Sequence, residues 1–295
     1  MTARAANRGL NRWWADGRVR LAWRAHTVVA LAYLAVRWAL LLPDQGGIHG
    51  VDARTYWGAP LDNPYPGPQV GLPGAYLYSP AFLQTLTPLR LLPWEVFHAV
   101  WTGLGIAAAV FLVGPIGAAL AITLLPFVYR DLFVGNIHLM LGAAIVLGFR
   151  WPGTWAFVVL TKVTPGVGLL WFAVRRQWRA LAIALGVTAG VSVLSFALAP
   201  HLWFDWVTRL RGDSGTAGSG YLLGIGARVA VAAVLVAIGA LTNRAWLVPV
   251  ASMIAIPIIW PDSLAMLLAA PNLIAHRPRA PASRARWDGV GNVKR

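Results

Sequence analysis

Apolar residues in this chain fall into long blocks, without the strict alternation of a half-buried strand. The blocks occupy 25–42, 94–113, 115–129, 132–149, 151–174, 180–199, 221–242, 245–260 and 263–275, and no polar domain separates them. A helix rises 1.5 Å per residue, so about 20 apolar residues cross a hydrocarbon layer of ~30 Å. The pattern predicts an all-α multipass transmembrane protein. Residues 43–79 depart from it, being rich in Gly, Pro, Asp and Tyr, and a long structured loop of this kind usually carries function. Behind it, Phe82 to Leu92 reads as an amphipathic helix lying in the interface and ended by Pro93.

Composition narrows the class. With 58% hydrophobic and 12% charged residues, against about 25% charged in an ordinary soluble domain, a soluble enzyme and a tethered cytosolic domain are excluded. The net charge of +15 suggests nucleic acid until its distribution is considered. The Arg residues flank apolar spans, as the positive-inside rule requires, with no contiguous basic domain to grip a duplex. No cysteine is present, which removes disulfides, thiolate metal sites and a Cys nucleophile. Residues 1–24 interleave Arg with Trp13, Trp14 and Trp23, and with no cleavage site behind them they read as a retained cytoplasmic arm on the membrane surface.

Charge also orients the spans. One crossing per block leaves Arg175, Arg176 and Arg179 outside, against the positive-inside rule. Splitting 151–174 at Thr161-Lys162-Val163-Thr164-Pro165 into two short segments, with Lys162 at the outer end, returns that triplet to the cytoplasm. The expectation is then about ten membrane segments with both termini inside. The chain divides into the arm at 1–24, a membrane domain at 25–275 whose outer loop and interfacial helix fill 43–93, and a basic cytoplasmic tail at 276–295. Lys and Arg collect inside, while Asp44, Asp52, Asp62, Glu95, Asp131, Asp205, Asp213 and Asp262 fall outside. Acidic charge contributes little to topology, so its crowding marks the outer face as the working face, which in a plasma membrane is extracytoplasmic.

Candidate chemistry lies on that face. Asp52, at the membrane surface soon after the first span, is placed to act as a general base, or else is a solvated loop or capping residue. Lys162 interrupts an apolar run where an ionisable group costs about 2.5 to 3.5 kcal/mol; it is either functional or a lysine snorkelling from a turn. Thr164-Pro165 reads as the N-cap and first residue of a half-helix whose positive end meets the same surface. Lys162 and Arg130 are the cations on that face that could stabilise developing negative charge. His138 and His98 are lone histidines in apolar segments, His138 expected only as a supporting polar contact. Arg37, within the first span, is a structural ion-pair partner or a headgroup ligand. Trp57 is an outer-loop indole that could stack on a ligand ring. No His-Glu-x-x-His or clustered Asp/His pattern occurs, so no tightly held metal or other cofactor is expected, with room left for a loosely bound divalent cation.

Several of these residues fall into an ordered set of motifs: Asp52-x3-Tyr56, Asn63-Pro64-Tyr65, Tyr78-Ser79-Pro80-Ala81-Phe82, Pro88-x4-Pro93 with Trp101, Pro126 with Gly135-Asn136-x-His138, Lys162-x2-Pro165, Arg175-Arg176-x-Trp178-Arg179 and Pro257-x2-Trp260. In this order, over about residues 25–275, the chain resembles glycosyltransferase family 87, polyprenyl-phosphate-mannose-dependent mannosyltransferases of GT-C membrane fold. The resemblance implies transfer of a hexose, mannose above all, from a polyprenyl-phosphate donor to a lipid-linked or cell-envelope acceptor, with inversion and without a nucleotide sugar. Asp52 would be the catalytic base, Lys162 and Arg130 would hold the donor phosphate, and Arg54, Tyr56, Tyr65, Tyr78, Asn136 and His138 would contact substrate. Two other readings stay open: a transporter or flippase of lipid-linked sugars, which needs polar residues through the whole membrane depth, and a non-catalytic member acting as a scaffold.

Overall fold

The computed structural model describes residues 48–66, 74–113, 117–213 and 223–275, with positions 17, 21, 24 and 25. Apart from those positions, the basic arm, the first apolar run with Arg37, and the tail at 276–295 lie outside the described residues. Every regular element among the described residues is helical. In chain order they are α1 (Val51–Gly58), α2 (Pro80–Arg90), α3 (Trp94–Leu112), α4 (Gly117–Val134), α5 (His138–Gly148), α6 (Trp155–Thr161), α7 (Leu170–Val174), α8 (Trp178–Leu198), α9 (Pro200–Asp213), α10 (Ile225–Thr242), α11 (Leu247–Ile254) and α12 (Ala269–Ala275). Short 3-10 turns occupy Pro152–Thr154, Thr164–Leu169 and Pro261–Leu268.

Three helices, α3, α8 and α10, are each long and apolar enough to cross a membrane. The pair formed by α4 from Leu124 and α5 adds a fourth span if its two halves are taken together. The described residues thus carry three or four such spans, short of the expected ten segments. Part of the difference is the first expected segment at 25–42, nearly all of it outside the described residues, and part arises where an apolar run breaks into helices too short to cross alone. The 151–174 run does break where charge balance required: α6 ends at Thr161, Lys162 is extended (φ −136°, ψ 107°), and a new helical turn starts at Thr164. The cap of that turn is Val163, one residue earlier than expected, and Thr164 stands inside it.

Between α4 and α5 the break lies at Gly135–Ile137, later than the apolar pattern suggested, and the axes bend by 110°. Gly135 has φ +73°, a left-handed backbone that glycine adopts without strain. A Cβ there would stand 2.6 Å from the Ala53 Cβ. The bend is sealed by polar contacts: Asn136 N–H donates to Asp131 O (2.9 Å), Trp101 Nε1–H to Gly135 O (2.8 Å), and Gly50 N–H to Phe133 O (2.8 Å). The Asp131 carboxylate, one turn before the end of α4, accepts Leu139 N–H (3.1 Å) and so caps the first turn of α5.

The region read as loop at 43–79 contains α1, which docks on this bend, and α9 likewise fills a connection that the apolar pattern left empty. An aromatic core of Tyr56, Tyr78, Phe82, Phe97 and Trp101 fixes α1, α2 and α3 together, with Phe97 and Trp101 stacked at 5.7 Å and Tyr56 packed on Trp101 at 5.2 Å. Ser79 caps α2 by accepting Phe82 N–H and donates to Leu160 O (2.5 Å), tying the first loop to α6. The most extensive packing joins α4 to the Pro261–Leu268 turn. Buried Arg228 on α10 donates to Ile256 O (2.7 Å) and Pro257 O (2.6 Å), fastening α10 to the segment that leads into that turn.

Candidate active site

The bend, the break and the Pro261–Leu268 turn meet around a cavity of about 430 Å³. Its polar lining includes Asp52 and Tyr56 of α1, Tyr78, Arg130 of α4, Asn136 at the bend, Lys162 and Thr164 at the break, and Asp262. The remaining wall is mostly apolar: Leu77, Val163, Trp206, Leu210, Ile225, Ile256, Ile258 and Trp260 contribute to it.

Asn136 organises the carboxylates. Its Oδ1 accepts Ile137 N–H (2.8 Å), which assigns the amide nitrogen to the other side, where it donates to Asp52 Oδ2 (2.8 Å) and Asp262 Oδ2 (3.1 Å). Tyr56 O–H approaches the same Oδ1 at 3.4 Å and pairs with the Tyr78 hydroxyl at 2.8 Å. Burial, together with the negative charge of Asp262, pushes the Asp52 carboxyl up to about 6, against the lowering pull of Lys162 and His138. Asp52 is thus a short-tethered carboxylate in the range suited to a general base near neutral pH.

Lys162 and Arg130 are the two cations that line the cavity. The Lys162 Nζ donates to His138 Nε2 at 2.8 Å and forms no ion pair within 4 Å among the described residues. Arg130 is half exposed and donates to Asp262 Oδ1 at 3.4 Å. His138 is fully buried, with Nδ1 facing Asp131 Oδ1 (2.9 Å) and Asp262 Oδ2 (3.2 Å). The ligand atoms of Asp131, His138 and Asp262 lie within 4.8 Å of one another, a set able to hold a divalent cation. No sequence motif announced it, because its members come from α4, α5 and the Pro261–Leu268 turn.

The structure therefore brings Asp52, Tyr56, Tyr78, Arg130, Asn136 and Lys162 to one cavity, with His138 directly behind Lys162. It sets two residues of the expected site apart. The Arg54 guanidinium lies over the Trp94 ring at 4.4 Å, and Tyr65 is buried with its hydroxyl on Tyr78 O (3.0 Å); neither lines the cavity. Trp57 is likewise committed to packing, donating to Leu92 O (2.9 Å), and the indoles that reach the cavity are Trp206 and Trp260. His98 stacks on Trp94 and packs edge-on against His49. Asp262 is the residue that sequence reasoning missed as part of the site. Its one signal was membership of the acidic set on the outer side, since nothing in Trp260-Pro261-Asp262 spells a catalytic motif.

The model of glycosyltransferase family 87 matches residues 76–288. A polyprenol-phosphate-mannose-dependent alpha-(1-2)-phosphatidylinositol pentamannoside mannosyltransferase of Mycolicibacterium smegmatis is 28% identical over 232 residues, covering 68% of this chain. The match takes in 55% of that relative, so the chain spans about half the length of the curated relative it matches. No solved structure matches the chain. The family match extends over well more than half of the sequence, and on that ground the chain belongs to glycosyltransferase family 87.

Proposed function

We propose that this protein is an inverting, polyprenyl-phosphate-sugar-dependent hexosyltransferase of the plasma membrane. It moves mannose to a lipid or cell-envelope acceptor on the extracytoplasmic face, with both termini in the cytoplasm. The observation that carries this reading is the joint placement of Asp52 and Lys162 in a cavity whose remaining wall is largely apolar. An apolar wall suits a prenyl chain, an ammonium suits its phosphate, and a carboxylate suits the hydroxyl that replaces that phosphate.

In this reading Asp52 takes the proton of an acceptor hydroxyl while its oxygen attacks the anomeric carbon from the face opposite the phosphate. The new glycosidic bond forms as the bond from carbon to phosphate oxygen breaks, and the electron pair leaves with the polyprenyl phosphate. Lys162, assisted by Arg130, stabilises that departing charge. Tyr56 and Tyr78 present hydroxyls to the sugar, and Asn136 holds Asp52 in place. The step needs no cofactor beyond a loosely bound divalent cation at the phosphate, and nucleic acid has no part in it.

Incubation of the purified protein with radiolabelled polyprenyl-phosphate-mannose and a membrane lipid extract tests the proposal. The expected result is a labelled lipid product whose formation requires Asp52. Transport of the donor across vesicles without transfer would support a flippase instead, and product formation indifferent to Asp52→Asn would remove the mechanism.

A further inference from the structure

On the reading of Lys162 as the donor-phosphate cation, we propose that His138 and Ser263 form a resting seat for its side chain. Lys162 donates to His138 Nε2 in this seat, and the Ser263 hydroxyl takes over that nitrogen when Lys162 turns to a lipid-linked phosphate.

The protonation pattern follows from the contacts. An ammonium has only donors, so the ring nitrogen facing Lys162 Nζ at 2.8 Å must accept. Nδ1 then carries the proton and donates it towards Asp131 Oδ1, with Asp262 Oδ2 also in reach. Asp131 is itself fixed by Leu139 N–H, so the tautomer is held from behind. A divalent cation bound at Nδ1 would displace that proton, moving it to Nε2 and setting two donors face to face at Lys162.

Nε2 has one lone pair and two donors beside it. Besides Lys162, Ser263 Oγ stands 3.2 Å away. The Ser263 oxygen accepts Trp260 N–H (3.2 Å), which leaves its O–H for the imidazole, its one acceptor among the described residues. His138 and Ser263 are both fully buried while Lys162 occupies the seat. When Lys162 leaves, the Ser263 hydroxyl is already within reach of Nε2 and keeps that acceptor paired. Lys162 in turn spends one of its three N–H groups on His138 and keeps two for a ligand.

The test is a double-mutant cycle on the full chain, purified in detergent and titrated with farnesyl phosphate, with the quenching of Trp206 and Trp260 as the signal. Ser263→Ala is expected to weaken binding roughly tenfold, because Nε2 is left bare when Lys162 moves. In a Lys162→Met background the same substitution should change nothing, since no handover remains to be compensated. Ser263→Thr, which keeps the hydroxyl, should bind as the parent does. Ser263→Cys, with a weaker donor in the same space, gives a smaller coupled loss and serves if the alanine variant does not fold. An equal loss in both backgrounds would mark Ser263 as merely structural and overturn the handover while leaving Lys162 on the phosphate. Unaltered binding by Lys162→Met overturns both readings. Stoichiometric divalent metal in the purified protein, lost in His138→Gln, also overturns the seat.

Discussion

Lys162 was legible as a single residue because it sets an ammonium inside an apolar run, whereas Asp52, a carboxylate in a loop at the membrane surface, stood out only through the ordered motifs that resemble glycosyltransferase family 87. Asp262 carries neither signal, and it matters through Asn136, whose amide reaches Asp52 across 84 residues of sequence and Asp262 across 126. Asp52→Asn keeps the shape and removes the base, so turnover should fall about 10²-fold or more while donor binding persists. The pH profile gives an independent reading. A carboxyl raised to about 6 loses its charge as pH falls through that value, so kcat/KM should drop towards tenfold per unit below pH 6, and this acid limb should vanish in the residual activity of Asp52→Asn. The two cations should not be equal. Arg130 is already paired with Asp262 and is half exposed, whereas Lys162 hydrogen-bonds His138 and forms no ion pair among the described residues. Lys162→Gln should therefore lose roughly ten- to hundredfold in donor affinity and Arg130→Gln distinctly less, as measured by titration with a short-chain polyprenyl phosphate.

Among the elements, the bend between α4 and α5 does the most to assemble the site, and it hinges on one glycine. Gly135→Ala forces a side chain into a left-handed backbone and against Ala53, the neighbour of Asp52. The strain alone is about 1 to 3 kcal/mol. Because α1 must shift to relieve the contact, activity should fall further than the loss of thermal stability explains; parallel melting and turnover measurements in detergent would show the split. Apolar periodicity could not locate this bend, since 115–149 is apolar on both sides of it and the information lies in the φ angle of Gly135. The break at Lys162 was readable because charge, not periodicity, revealed it. If α6 and α7 are two halves of one re-entrant excursion, a cysteine at Lys162 should label from outside and one at Gln177 from inside, against a background free of native cysteine. Labelling of Gln177 from outside would place Lys162 away from the working face.

At the scale of the whole molecule, composition was enough to give the solvent and the helical class, because a chain 58% hydrophobic cannot hide its apolar surface in a domain of this size. It could not show how the helices converge, which depends on packing between elements distant in sequence, such as α4 against Pro261–Leu268. Arg228 has a consequence at this scale. Ile225 lines the cavity from α10, Ile256 and Pro257 line it from the segment beyond α11, and the guanidinium hydrogen-bonds the carbonyls of both these latter residues. A lipid tail parting that seam would strand a buried charge away from its acceptors, a cost of several kcal/mol in so apolar a setting. Arg228 thus acts as a zip, closing one flank of the groove to sideways traffic. On the proposed reading of the cavity as a prenyl-phosphate site, the prenyl chain would enter past Trp206 and Leu210 of α9, which line another part of the wall, and a bulky residue in place of Leu210 should weaken donor binding.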